Sequence, residues 1–195
     1  MRKKANIKTT GISMRKMRFL KLVDSLPVIE GISQTSMLKI NEALINYKNQ
    51  LSRYEEVKND PKALKRFCSM NRNPLFDITG NDYFFTGIMS VKAKKCPSCE
   101  RSKDHFIQRS KALRFIFRDL SKNPNMTVTT FIGLVKKYCS TVILQKEEHK
   151  MVTLYGRKHR DMTNVKIYKK LKIKIQGLGN WCNNHYLGKA VEKTY

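Results

Sequence analysis

An Asp followed directly by a His, Asp104-His105, supplies two of the groups that phosphodiester hydrolysis needs. The imidazole can take a proton from water, and the carboxylate can bind a divalent cation that stabilises the departing oxyanion. A second cation ligand is required. His149, in Gln145-Lys-Glu-Glu-His149-Lys150, is the best candidate, because it follows an expected strand and turn that could fold it back opposite His105. Just upstream of the pair, Cys96-Pro-Ser-Cys99 offers half of a tetrahedral zinc site, since two thiolates at this spacing can point at one ion from a tight turn. Cys182-x-x-His185 has ligand spacing too, and joining it to the first knuckle would give a Cys3His set that ties the tail to the centre. The total of five cysteines is odd and irregularly spaced, which argues for thiols or metal ligation rather than a disulfide framework. Cys68 and Cys139 sit among apolar neighbours in helical patterns and are expected to be buried thiols.

The charge of the chain says what such groups would act on. Lys and Arg number 40 against 15 Asp and Glu, a formal net charge of +25 over 195 residues. Such a field attracts polyanions, and each neutralised phosphate releases counterions, so nucleic acid is the expected partner. Arg109 lies just after the Asp-His pair, and Arg157, Lys158 and Arg160 lie beyond His149, all placed to meet phosphates. No apolar run approaches the roughly 18 residues a membrane span needs. The basic start Met1-Arg-Lys-Lys4 is not followed by a secretory apolar core, so an intracellular, cytoplasmic protein is expected.

The elements that must position these groups read as α+β. Met37, Ile40, Leu44, Tyr47, Leu51 and Tyr54 are spaced three and four apart, which predicts a long amphipathic helix over residues 36–54, capped by Thr35 or Ser36. Asn59-Asp60-Pro61 breaks it, and residues 62–70 read as a second helix. Asn71-Arg-Asn-Pro74 and Thr79-Gly-Asn-Asp82 read as turns, and residues 83–91 as strands around a bend at Gly87. Ala112, Leu113, Ile116, Phe117 and Leu120 predict a helix behind His105, residues 127–138 another, and Thr141-Val-Ile-Leu144 a short strand. In residues 165–175 the apolar side chains hold one parity while Lys166, Lys170, Lys172 and Lys174 hold the other, which predicts a half-buried strand with a basic, phosphate-facing outer side. The organisation expected is a helical part over 1–75, a central region over 76–160 and a basic extension over 161–195.

Together, the aromatic, glycine-containing lead-in Tyr83-Phe-Phe-Thr-Gly87, the pair Asp104-His105 running on through Phe-Ile-Gln-Arg109-Ser110, and the later Gln145-Lys-Glu-Glu-His149 resemble the His-Asn-His (HNH, ββα-metal) endonucleases, especially the small basic ones of phages and mobile elements. The likeness covers about residues 83 to 155. It implies a ββα-metal-like centre with His105 as general base, Asp104 and His149 as ligands of Mg2+ or Mn2+, and a structural Zn2+ near the pair. For the family's middle Asn, Asn123 and Asn125 are the candidates, and 43 residues separate His105 from His149, more than a compact ββα unit uses. The activity this implies is metal-dependent hydrolysis of DNA. The alternatives are a zinc-stabilised nucleic-acid-binding protein without catalysis, such as a regulator, packaging or ribosome-associated factor, and a protein that coats or condenses nucleic acid.

Overall fold

The computed structural model describes residues 25–79, 84–159 and 162–176. Nine helices and three strands follow one another within them. Helix α1 spans Gln34–Asn49 and α2 Leu51–Val57, with Gln50 breaking the single helix expected over 36–54. Its apolar stripe is nevertheless buried as the spacing requires: Met37, Ile40, Leu44, Tyr47 and Tyr54 all face the core. The cap is Ser33 rather than Thr35 or Ser36, its side chain accepting from the Ser36 N–H. Helix α3 (Pro61–Met70) starts where expected, with Asp60 accepting from the N–H groups of Lys62 and Ala63. The segment after Asn71, expected to turn, instead forms α4 (Asn73–Thr79), Pro74 standing in its first turn where a missing N–H costs nothing.

Residues 85–89 form one strand, β1 (Phe85–Met89), not two around a bend. Gly87 adopts a φ of 76° within it, a left-handed conformation that glycine takes without a Cβ penalty, and the pairing register shifts across the strand. Helix α5 (Val91–Lys95), a 3-10 turn at Ser98–Glu100 and strand β2 (Arg101–His105) follow. Helices α6 (Arg109–Lys122) and α7 (Val128–Cys139) lead to β3 (Thr141–Gln145) and directly into α8 (Lys146–Lys158). In the sheet, of order β1-β3-β2, β3 runs parallel to β1 and antiparallel to β2. The long segment between the two antiparallel strands is therefore occupied by the α6–α7 pair, which the core absorbs.

Helix α9 (Asn164–Lys170) replaces the basic strand expected over 165–175. The same residues also satisfy helical spacing: Asn164, Ile167 and Tyr168 are buried and Leu171 half-buried, and the Thr163 side chain accepts from the Lys166 N–H to cap the start. Over so short a run, alternation and a helical stripe coincide, and the cap with the tertiary packing decides between them. Lys172 leaves the helix with a φ of 54°, and Ile175 makes only an isolated bridge to Ser90. Lys166, Lys170, Lys172 and Lys174 are consequently spread around a helix and a turn instead of lining a flat face.

One apolar cluster joins these elements. Phe117 of α6 lies 5.2 Å from the Tyr47 ring, 5.4 Å from Tyr54 and 4.8 Å from Phe67, so the N-terminal helices share a core with the strand-bearing part. Among the described residues, no helix is long and apolar enough to cross a membrane.

Candidate active site

Asp104 and His105 end β2 and are both buried, at 8% exposure. On a strand, alternate residues share a face, so Ser102 and Asp104 lie together under α8. His149 sits in the first turn of α8, directly after β3, and reaches down to both. Ser102 Oγ is 2.9 Å from His149 Nδ1, and His149 Nε2 is 3.5 Å from Asp104 Oδ1. The neighbouring Glu148 is the lock for this helix end. Its carboxylate accepts from the Gln145 N–H at 3.2 Å and from the Ser90 hydroxyl, which ties α8 to the end of β1. Hydrogen bonding to Asp104 raises the pKa of His149 above its ordinary value against the opposing effect of burial, and the carboxylate charge adds to the rise.

A buried carboxylate needs donors, and Asp104 has them. Asn164 Nδ2 lies 3.3 Å from Oδ1 and 3.2 Å from Oδ2, and the Tyr168 hydroxyl donates to Oδ2. The same Asn164 amide donates to the main-chain carbonyl of His105 at 2.7 Å. Burial, with Asp104 beside it, pushes the Tyr168 phenol well above its ordinary value, so it remains a donor.

His105 is held differently. Arg109 Nε donates to His105 Nε2 at 3.2 Å, which requires a lone pair on Nε2 and leaves the ring proton on Nδ1. Thr79 Oγ1 is 3.4 Å from the same nitrogen but spends its own hydrogen on the Leu75 carbonyl. Burial lowers the His105 pKa to about 4, helped by the Arg109 charge, so the ring is neutral at neutral pH. A neutral imidazole is the state a general base requires, and here its Nε2 lone pair is covered by Arg109, a residue that also lines the cavity beside it.

That cavity, about 820 Å³, opens over the pair. Its lining brings together Lys65, Arg72, Lys103, Arg109, Lys111, Arg114 and Arg157, seven cations from three helices, a strand and the linker before α4, against the single carboxylate of Asp104. A concave, one-signed surface of this kind focuses its field on an anion. Of the residues expected from sequence to meet phosphates, Arg109 and Arg157 line the cavity, whereas Lys158, Lys166, Lys170, Lys172 and Lys174 are not in its wall; Arg160 lies outside the described residues.

For a divalent cation, Asp104 and His149 are the fitting donors. Two ligand atoms of one ion at ~2.1 Å stand about 3.0 to 3.4 Å apart, close to the 3.5 Å observed between Oδ1 and Nε2. Among the described residues, no group of three or more His, Cys, Asp or Glu is arranged to hold an ion, so any cation here would take its remaining ligands from water and phosphate, as Mg2+ commonly does. Cys96 is half-buried with its thiol 3.5 Å from the Ala93 carbonyl, and Cys99 is exposed. Cys182 and His185, the expected other half of a zinc site, lie outside the described residues. Cys68 and Cys139 are buried thiols, as expected, and burial raises them to about 11 and about 12.

Sequence reasoning did not find Asn164, Thr79, Ser102 or the N-terminal cations Lys65 and Arg72. Only Ser102 carried a local signal, its parity with Asp104; the others arrive from distant helices. Asn123 and Asn125, the expected middle asparagines, flank Pro124 at the far end of α6, and Asn164 is the asparagine that bonds the pair. Comparison of the chain with family models, with curated proteins and with solved structures finds no match.

Proposed function

We propose that the chain is a metal-dependent endonuclease of the HNH type that hydrolyses phosphodiester bonds of DNA. The observation that carries this reading is the meeting of Asp104 and His149 beside a neutral, lone-pair-bearing His105 on the wall of a cationic cavity. The order of β2, antiparallel β3 and α8, with the pair at the end of β2, His149 on α8, and α6 and α7 between the strands, supports reading this part as an expanded ββα unit.

Each group has a task in this scheme. Lys65, Arg72 and Arg114, from α3, the linker after it and α6, draw the backbone in. The Arg109 guanidinium turns to a phosphate oxygen, which uncovers His105 Nε2, and the imidazole takes a proton from the attacking water. Asp104 and His149 would hold Mg2+ or Mn2+, which when bound supplies positive charge against the leaving oxygen. Ser102 keeps His149 oriented by occupying Nδ1.

Nicking of supercoiled plasmid by purified protein with Mg2+ or Mn2+ tests the reading. Wild type is expected to nick and His105→Ala to lose at least about a hundredfold in rate. Binding without nicking, or equal nicking by the variant, refutes it in favour of a non-catalytic nucleic-acid-binding protein.

A further inference from the structure

Helix α9 aims two buried polar groups at one carboxylate. Asn164 and Tyr168 are four residues apart, hence on one face of the helix. Tyr168 is fully buried, its ring meeting Phe106 edge-on at a 6.4 Å centroid distance, and its hydroxyl is given to Asp104 Oδ2. The Asn164 amide has two hydrogens, which serve the His105 carbonyl at 2.7 Å and the Asp104 carboxylate. Asn164 thus bridges both carboxylate oxygens, at 3.3 Å from Oδ1 and 3.2 Å from Oδ2, while Tyr168 holds Oδ2 and Oδ1 faces His149 Nε2 at 3.5 Å.

The approach of α9 is itself secured. Lys111 Nζ donates to the Met162 carbonyl at 2.9 Å, and Gly156 leaves room where a Cβ would come within 3.3 Å of both Gln108 Nε2 and Ile167 Cδ1. Burying a carboxylate, an amide and a phenol together is no route to stability, since apolar residues of similar volume commonly do as well or better. What the network gives is a fixed orientation.

Resting on the endonuclease reading, we propose that Asn164 and Tyr168 are positioning residues: Tyr168 engages Oδ2 so that the Asp104 carboxylate presents Oδ1 beside His149 to a divalent cation, and Asn164 ties that carboxylate to the main chain of His105.

The test compares Tyr168→Phe, Asn164→Ala and the packing control Ile167→Val with wild type. Free Mn2+ is followed by electron paramagnetic resonance without DNA, alongside plasmid-nicking kcat and KM and thermal melting. Outer-shell partners of metal ligands typically govern affinity about 10- to 100-fold, so Tyr168→Phe and Asn164→Ala should each weaken Mn2+ binding about tenfold. They should also lower kcat while leaving KM for DNA unchanged, because the cavity cations are untouched. Ile167→Val should lower the melting temperature alone. Wild-type Mn2+ affinity in Tyr168→Phe, or an equal loss in Ile167→Val, overturns the positioning role, and Tyr168→Phe decides the matter if Asn164→Ala does not fold. A wild type that neither binds Mn2+ nor nicks DNA overturns the endonuclease reading itself.

Discussion

His105 should make the protein acid-labile in a way that one substitution removes. Its ring is 8% exposed beside the Arg109 guanidinium, and its pKa falls from 6.5 to about 4. The unfolded chain therefore binds a proton near pH 6.5 that the folded chain refuses until about pH 4, so the stability His105 contributes is present above 6.5 and is lost as pH falls toward 4. Integrating that proton uptake from about pH 7.5 to about pH 5 gives a loss of roughly 2 kcal/mol from this one residue. Gln in place of His105 does not titrate, so its urea midpoint should fall less over the same interval, by about 1 M for a denaturant slope near 2 kcal/mol per molar. The assay is urea unfolding of both proteins at the two pH values, with contributions from all other groups cancelling in the difference. Parallel midpoints would mean that His105 is not held neutral by burial, and the general-base assignment would lose its electrostatic support.

Three further outcomes are expected. Because Asp104 raises the pKa of His149, the acid limb of plasmid nicking should lie above pH 6.5, and it should move down as Mg2+ is increased, since proton and cation compete for Nε2; a limb that ignores Mg2+ removes His149 from the ligand set. The stability that this ion pair supplies has the opposite sign to that of His105, present below pH 6.5 and lost as pH rises through the raised His149 value. Neutralising Lys65 or Arg72 to Ala should lower the salt slope of DNA binding by about one each, whereas Lys170→Ala and Lys172→Ala, outside the cavity, should change it less. Phe117→Ala, at a fully buried ring shared by α1, α2, α3 and α6, should cost about 3 to 5 kcal/mol in urea unfolding and melt the helical and strand-bearing parts in one transition.

Much of the architecture was legible because it rests on local periodicity. The apolar spacing of α1, α6 and α7, the Asp60-Pro61 start of α3 and the β-branched run of β3 each have a short-range cause that the chain order preserves. The expected C-terminal strand failed where that cause is ambiguous: over seven residues, Val165, Ile167 and the lysines around them fit either period, and the Thr163 cap with burial of Asn164 and Tyr168 selected the helix. The candidate site was legible in its ionisable side chains, Asp104, His105, His149, Arg109 and Arg157, whose residue types are those that proton transfer, cation binding and phosphate contact use.

Sequence alone determined the charge of the protein, the helical stripes and the candidate ionisable groups, because these follow from composition and from spacing within one or two turns. Tertiary structure decided everything that depends on distance through space. It placed His149 3.5 Å from Asp104, turned Arg109 onto His105, recruited Lys65 and Arg72 from the N-terminal helices into one cavity, and brought Asn164 and Tyr168 from α9 to the carboxylate. These contacts join elements far apart in the chain, and no local rule encodes them; they exist because a single apolar core fixes the helices and the sheet against one another.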